Sequence, residues 1–294
     1  MNNVNIPIFP AIPLINSGYQ HTSPKTIYSH YKLFKRRGDL MMKNYVKERV
    51  LKGKPVFGAW ITIGHPDVAE IMARMGFDFL LIDMEHSPID YGTLQHLMQA
   101  ISSASKSCVP MVRVPSADPI AIKRVLDIGV YGIVVPHVNT REDAVTVVKA
   151  ARYPPEGIRG FGPRRACAYG LELLEYTKRA NDEIMVIVQV ETKKAVNNVE
   201  EILSAGIDMY FVGPWDLATT LGYPCQINHP EVVKAIKKII DIGTRLGIPG
   251  GTVSDVEHVA KHIEMGYKLL TLGADSDYLI RGCKLSLEAV KSLR

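Results

Sequence analysis

Residues 109–136 read VPMVRVPSADPIAIKRVLDIGVYGIVVP, and this stretch decides the fold. A β-branched run at 109–114 gives way to an amphipathic run that closes on Gly129, and a second β-branched run follows at 131–136. Strands that are apolar without polar alternation are buried on both faces, as in parallel βαβ units. Glycine at the end of the helical run suits the left-handed C-cap that turns the chain into the next strand. The same unit recurs on either side. Strands are expected at 55–63, 78–84, 109–114, 131–136, 184–190, 208–213, 248–253 and 268–273, each followed by a helix, with helical runs closing on Gly76, Gly129, Gly206, Gly247 and Gly266. Eight strand–helix pairs predict an α/β protein, a (β/α)8 TIM barrel.

The remainder of the sequence limits the function classes. The chain has 294 residues, 35 Lys plus Arg against 30 Asp plus Glu, and a formal charge of +5, too little to advertise nucleic-acid binding. Most of that surplus lies in residues 1–41, where Lys25, Lys32, Lys35, Arg36 and Arg37 face Asp39 alone. Four prolines and no sustained periodicity set this segment apart, so residues 1–41 are expected to be an extension and residues 42–294 the barrel. Lys35 to Leu40 before Met41 and Met42 can be encoded by a purine-rich ribosome-binding run, which makes Met41 or Met42 the expected translation start. Cys108, Cys167, Cys225 and Cys283 lie far apart without a CxxC pair, which argues against a zinc site or disulfide framework and for a reducing, cytoplasmic setting. The longest apolar runs fall far short of the roughly 20 residues that span a bilayer, so no membrane role is expected.

In a (β/α)8 barrel the active site lies at the C-terminal ends of the strands. There the sequence places Asp83, Glu85 and His86 after the second strand, Arg113 at the end of the third, Gln189 and Glu191 after the fifth, and Gly213-Pro214-Trp215-Asp216 after the sixth. Gly250, Gly251 and Gly273 are expected to end the last two strands. Glu191 and Asp216 end adjacent strands, and two carboxylates with room for water suit Mg²⁺ or Mn²⁺. Zinc is less natural without His or Cys beside them. Each carboxylate alone would equally serve as a helix cap or an arginine partner. Arg113 has a planar fork for a carboxylate or a developing oxyanion, or for a salt bridge to Glu191. His86 offers an imidazole, the side chain suited to moving protons near neutral pH, with Asp83 and Glu85 near enough to orient it; His137 is a weaker choice. No strand ends in a lysine, which argues against Schiff-base chemistry. A cation would then act as the electron sink, as in a metal-dependent aldolase.

These residues resemble the HpcH/HpaI aldolase family, class II pyruvate aldolases, over about residues 42–294. The motifs that carry the resemblance are FDFLLIDMEHSP (77–88), VPMVRVPSADP (109–119), ARYPPEGIRGFGPRRA (151–166), VQVETKKAVNNVEEI (188–202) and VGPWDLATTLG (212–222). The resemblance implies a divalent metal on Glu191 and Asp216 (Mg²⁺ or Mn²⁺, with Co²⁺ also admitted) and proton transfer by His86. It further implies enolate stabilisation by Arg113, and pyruvate held with help from Gln189, the Trp215 backbone and Asp216. The implied reaction splits a 4-hydroxy-2-oxo acid into pyruvate and an aldehyde through a metal-held pyruvate enolate, or runs in reverse. It also implies an aspartate, here Asp127, that raises the basicity of the histidine. The third helix should carry Asp127 away from the mouth of its own barrel, so a neighbouring subunit is expected to supply it. The resemblance implies a homohexamer with exchanged C-terminal helices, for which residues 276–294 are suited.

Two departures bear on specificity: Trp215 stands where a small residue is usual, and Arg164 and Arg165 are available to an acidic substrate or to a solvated helix start. The competing readings are an acyl-CoA lyase of the citrate-lyase β type and a non-catalytic 2-oxo acid binding barrel.

Overall fold

All eight expected strands form, and they close on themselves. The computed structural model describes residues 43–293, so the expected extension over residues 1–41 and the start at Met41 or Met42 lie outside the described residues. Helix α1 (Tyr45–Leu51) precedes β1 (Val56–Ile61), α2 (Pro66–Arg74), β2 (Phe79–Asp83), α3 (Tyr91–Ala104), β3 (Val109–Arg113), α4 (Pro119–Ile128), β4 (Gly132–Val135) and α5 (Arg141–Ala151). A 3-10 turn (Arg165–Gly170) and α6 (Leu173–Glu183) lead to β5 (Met185–Val190), which is followed by α7 (Lys193–Asn197) and α8 (Val199–Leu203). Then come β6 (Met209–Val212), α9 (Pro214–Thr220), α10 (Pro230–Leu246), β7 (Gly250–Val253), α11 (Val259–Glu264), β8 (Tyr267–Ala274) and α12 (Asp275–Ala289). The strands pair in parallel in the order β1 to β8, and β8 pairs with β1 to close the barrel.

β2 through β6 are buried at every position. This is the physical meaning of their unbroken apolar runs, since fully burying each Val, Leu or Ile contributes about 1.5–3 kcal/mol. Gly129 and Gly247 cap α4 and α10 with φ of 101° and 70°, a conformation that glycine alone adopts without strain. Below the strands, α1 buries Val46 and Val50, and Asn44 donates to the carbonyls of Tyr131 (2.9 Å) and Glu183 (2.8 Å). The bottom of the barrel is thereby closed, which leaves the opposite mouth for chemistry.

One strand-end expectation is corrected. Gly250 and Gly251 open β7 rather than end it. A Cβ at Gly250 would lie 2.4 Å from the Tyr210 ring, so this glycine admits a buried aromatic and is not part of the mouth.

Candidate active site

The register between β2 and β3 sets Asp83 directly beside Arg113, and the two side chains form a two-pronged pair. Arg113 donates from Nε to Asp83 Oδ1 at 2.9 Å and from Nη2 to Oδ2 at 2.7 Å, and its guanidinium lies 4.5 Å from the Trp60 ring centroid. Arg113 therefore pairs with Asp83, not with Glu191. Burial alone would raise the Asp83 carboxyl, but Arg113 and the backbone N–H groups of His86 and Glu85 hold it below the usual carboxylate range. Asp83 orients the loop that follows β2 by accepting the N–H of Glu85 at 3.0 Å and of His86 at 3.2 Å. It acts on the backbone of His86 and not on the imidazole. Nη1 of Arg113 is left outside this pair.

Glu85 and His86 lean over the rim from this loop. The Glu85 side chain is 9% exposed; its Oε2 lies 3.3 Å from Arg113 Nε and 3.8 Å from His86 Nε2, yet has no hydrogen-bond partner among the described residues. Burial raises its pKa, with Glu191 adding to the effect and Arg113 opposing it. His86 is exposed at the mouth, where an imidazole can reach a ligand.

Glu191 follows β5 and is buried. One oxygen, Oε1, accepts the backbone N–H of His137 at 2.8 Å, while Oε2 accepts a short hydrogen bond from Gln189 Nε2. Burial raises the Glu191 pKa, and nearby Asp216 adds to the rise. Gln189 Oε1 is buried without a partner among the described residues. Asp216 stands in the first turn of α9, half-buried, next to the exposed Trp215. Gly213 leaves space where these groups converge: a Cβ there would lie 3.1 Å from Gln189 Nε2, 3.3 Å from Glu191 Oε2 and 3.5 Å from Asp216 Oδ2.

The donor set fits a divalent cation. It comprises carboxylates at close quarters, an orphaned buried carboxylate oxygen at Glu85, and a gap at Gly213 ringed by polar atoms. Among the described residues, ligand atoms of Glu85, His137 and Glu191 all lie within 4.8 Å of one another. The expectation that no histidine stands beside the carboxylates is thus corrected. His137 follows β4 directly, which was a visible signal, but which way its ring would turn was not.

Two expected residues lie elsewhere. Asp127 is at the end of α4, which leads into the start of β4 at the far face of the barrel, and it pairs there with Arg159 at 2.7 Å. Arg165 is buried and donates to the carbonyls of Ile128 and Met98, both at 3.1 Å, and to Ser102 Oγ at 2.9 Å. It is a fastening between helices, which overturns both expectations for Arg165, a contact for an acidic substrate and a solvated helix start.

A closed barrel with a guanidinium, imidazoles and buried carboxylates gathered at its C-terminal mouth has the makings of a lyase that handles small acids. Comparison with known proteins places it more narrowly. The HpcH/HpaI aldolase/citrate lyase profile matches residues 57–282, and the chain belongs to that family. It is 36% identical over 256 residues to a hydroxypyruvate/pyruvate aldolase of Paraburkholderia phytofirmans, covering 85% of this chain and 98% of that one. It is 40% identical over 242 residues to a pyruvate aldolase of Rhizobium etli, covering 81% and 94%. It is 38% identical over 221 residues to a 5-keto-4-deoxy-D-glucarate aldolase of Shigella boydii, covering 74% and 85%. A solved structure of a family protein from Burkholderia cenocepacia superposes with a TM-score of 0.81 at 36% identity, covering 84% of this chain and 99% of that one. The chain is a carbon–carbon lyase of the aldolase kind. Among the described residues no helix is long and apolar enough to cross a membrane.

Proposed function

We propose that this protein is a divalent-cation-dependent aldolase that splits a 4-hydroxy-2-oxo acid into pyruvate and an aldehyde, and joins them in reverse. The observation that carries this reading is the convergence of Arg113, His86, Glu191, Gln189 and Asp216 on one barrel mouth, with buried polar atoms left without partners. Glu191 and Asp216 are the carboxylates that would hold Mg²⁺, Mn²⁺ or Co²⁺, with Glu85 beside them. When bound, the cation supplies positive charge that draws electrons from a 2-oxo group.

The chain's own residues perform the rest. His86 accepts the C4 hydroxyl proton as the C3–C4 bond breaks and the aldehyde leaves. Arg113, fixed by Asp83 and Trp60, offers Nη1 to the carboxylate or the enolate oxygen of the pyruvate half. A proton returned to C3 completes the pyruvate methyl group. Gln189, through the amide hydrogen not given to Glu191, and the backbone at Trp215 seat the acid. Asp127 reaches His86 from a neighbouring subunit, because in its own barrel it lies at the opposite face. α12 buries only Asp275 and exposes Leu279, Ile280, Leu285 and Leu287, apolar side chains spread around the helix that support assembly into a homohexamer through its C-terminal helices.

Deuterium uptake into the pyruvate methyl group in D₂O, followed by NMR, tests the reading without knowledge of the aldehyde. Exchange should appear with Mg²⁺ or Mn²⁺, vanish with EDTA, and fall about 10²- to 10⁴-fold in His86→Ala. Folded, metal-loaded protein that exchanges nothing would overturn it.

A further inference from the structure

His137 stands at the mouth on a backbone that few residues adopt. Its φ is 56°, a left-handed conformation that is strained for a non-glycine residue. The surroundings fix it there: its N–H donates to Glu191 Oε1 at 2.8 Å, and its carbonyl accepts Asn139 Nδ2 at 2.8 Å. The turn swings the imidazole over the buried carboxylates. Nδ1 lies 3.6 Å from Glu191 Oε1 and Nε2 lies 3.4 Å from Glu85 Oε1. The other oxygen of the same carboxylate, Glu85 Oε2, is buried 3.3 Å from Arg113 Nε and has no hydrogen-bond partner among the described residues.

We propose that His137 is a nitrogen ligand of the divalent cation and sets the metal preference of this centre. The inference rests on the cation reading above. An all-oxygen set suits Mg²⁺, which keeps its waters and asks for carboxylates, whereas an imidazole suits cations later in the first transition row. An imidazole nitrogen added to Glu191 and the carboxylates around it makes a mixed nitrogen and oxygen set, which binds Co²⁺ and Zn²⁺ in preference to Mg²⁺. The left-handed backbone is what brings the nitrogen into the set, and its cost is offset by the hydrogen bond to Glu191.

Metal affinity of the full-length protein, measured by calorimetry with Mg²⁺, Co²⁺ and Zn²⁺ and by the visible spectrum of the Co²⁺ form, tests this directly. Three variants are compared with wild type. His137→Gly and His137→Asn both tolerate a positive φ and so keep the loop, and Glu191→Gln reports on the centre itself. Wild type should bind Co²⁺ and Zn²⁺ more tightly than Mg²⁺. His137→Gly and His137→Asn should each lose at least about tenfold in Co²⁺ and Zn²⁺ affinity while Mg²⁺ affinity changes less than about twofold. Free imidazole should restore the Co²⁺ spectrum in His137→Gly, which a purely structural histidine would not allow. Equal losses for all three cations, or none, with Glu191→Gln still abolishing binding, would overturn the ligand role and leave the aldolase reading intact. Cation binding unaffected by Glu191→Gln would overturn both.

Discussion

Glu191 is held where ionisation is costly. Its pKa is raised chiefly by burial, so at neutral pH the folded protein without metal keeps a carboxylate that the unfolded chain would solvate better. The sign follows from the raised value. The cost is absent while the acid is protonated in both states, grows as pH rises from the unfolded value toward the folded one, and is fully present above it. Glu191→Gln should therefore raise the Tm of metal-free protein at pH 8, by about 2–4 °C for each kcal/mol relieved, and the gain should disappear toward pH 4.5, the ordinary value for a glutamate. Gln189 can accommodate the new amide, because its Oε1 has no partner and can accept from it. The same variant should lose the stabilisation that Mn²⁺ confers on wild type. Since Glu85 is also raised by burial, Mn²⁺ affinity should weaken at a pH above the ordinary carboxylate range as protons compete for both groups. Calorimetry between pH 8 and pH 5 decides this, and flat affinity would remove these carboxylates from the centre. The site's residue types were legible in the sequence because they end strands. Their pairings were not: Glu191 was the partner expected for Arg113, whereas the register of β2 and β3 sets it beside Asp83, and the turn of His137 toward Glu191 depends on one backbone dihedral that no spacing reveals.

Strands and helices were read more completely than the connections between them. Buried parallel strands leave continuous apolar runs, and helix ends leave glycines, so periodicity alone located the barrel. The segment between α5 and β5 has neither signal, and there the sequence misdirected. Arg165 looked available to substrate, yet it is buried with its charge spent on Ile128 at the end of α4 and on Met98 and Ser102 of α3. Burial lowers its pKa, the opposite of what an exposed anion contact would produce. Arg165→Met should then destabilise the protein by about 2–4 kcal/mol, because it removes charge-assisted hydrogen bonds and leaves buried carbonyls without that donor. Thermal unfolding would register this as a fall of several degrees, while the ratio of kcat/KM between a short and an acidic aldehyde stays unchanged. An unchanged Tm with an altered ratio would return Arg165 to the substrate.

The molecule as a whole carries a face that its own barrel does not cover. α12 leaves Leu279, Ile280, Leu285 and Leu287 more than half exposed, and beside it lies a cleft of about 450 Å³ lined in part by Leu272, Tyr278, Ile280 and Leu285. Solvent-facing leucines on successive turns are costly in an isolated chain and natural at a contact between subunits. The proposed pairing of Asp127 with His86 would also require assembly, since α4 delivers Asp127 to the face opposite the His86 of the same chain. If a neighbour's Asp127 serves each His86, two inactive variants should repair one another. His86→Ala and Asp127→Ala subunits, unfolded and refolded together at equal concentration, should regain about a quarter of wild-type activity, the fraction of sites that receive both intact residues by chance in a closed oligomer. Refolded separately and then combined without exchange, they should remain inactive. Ile280→Glu with Leu285→Glu should shift sedimentation toward smaller species and reduce turnover together, because in a shared arrangement dissociation would remove Asp127 from every site. Retention of full activity by a monomer would place a complete site in a single barrel and exclude the shared arrangement.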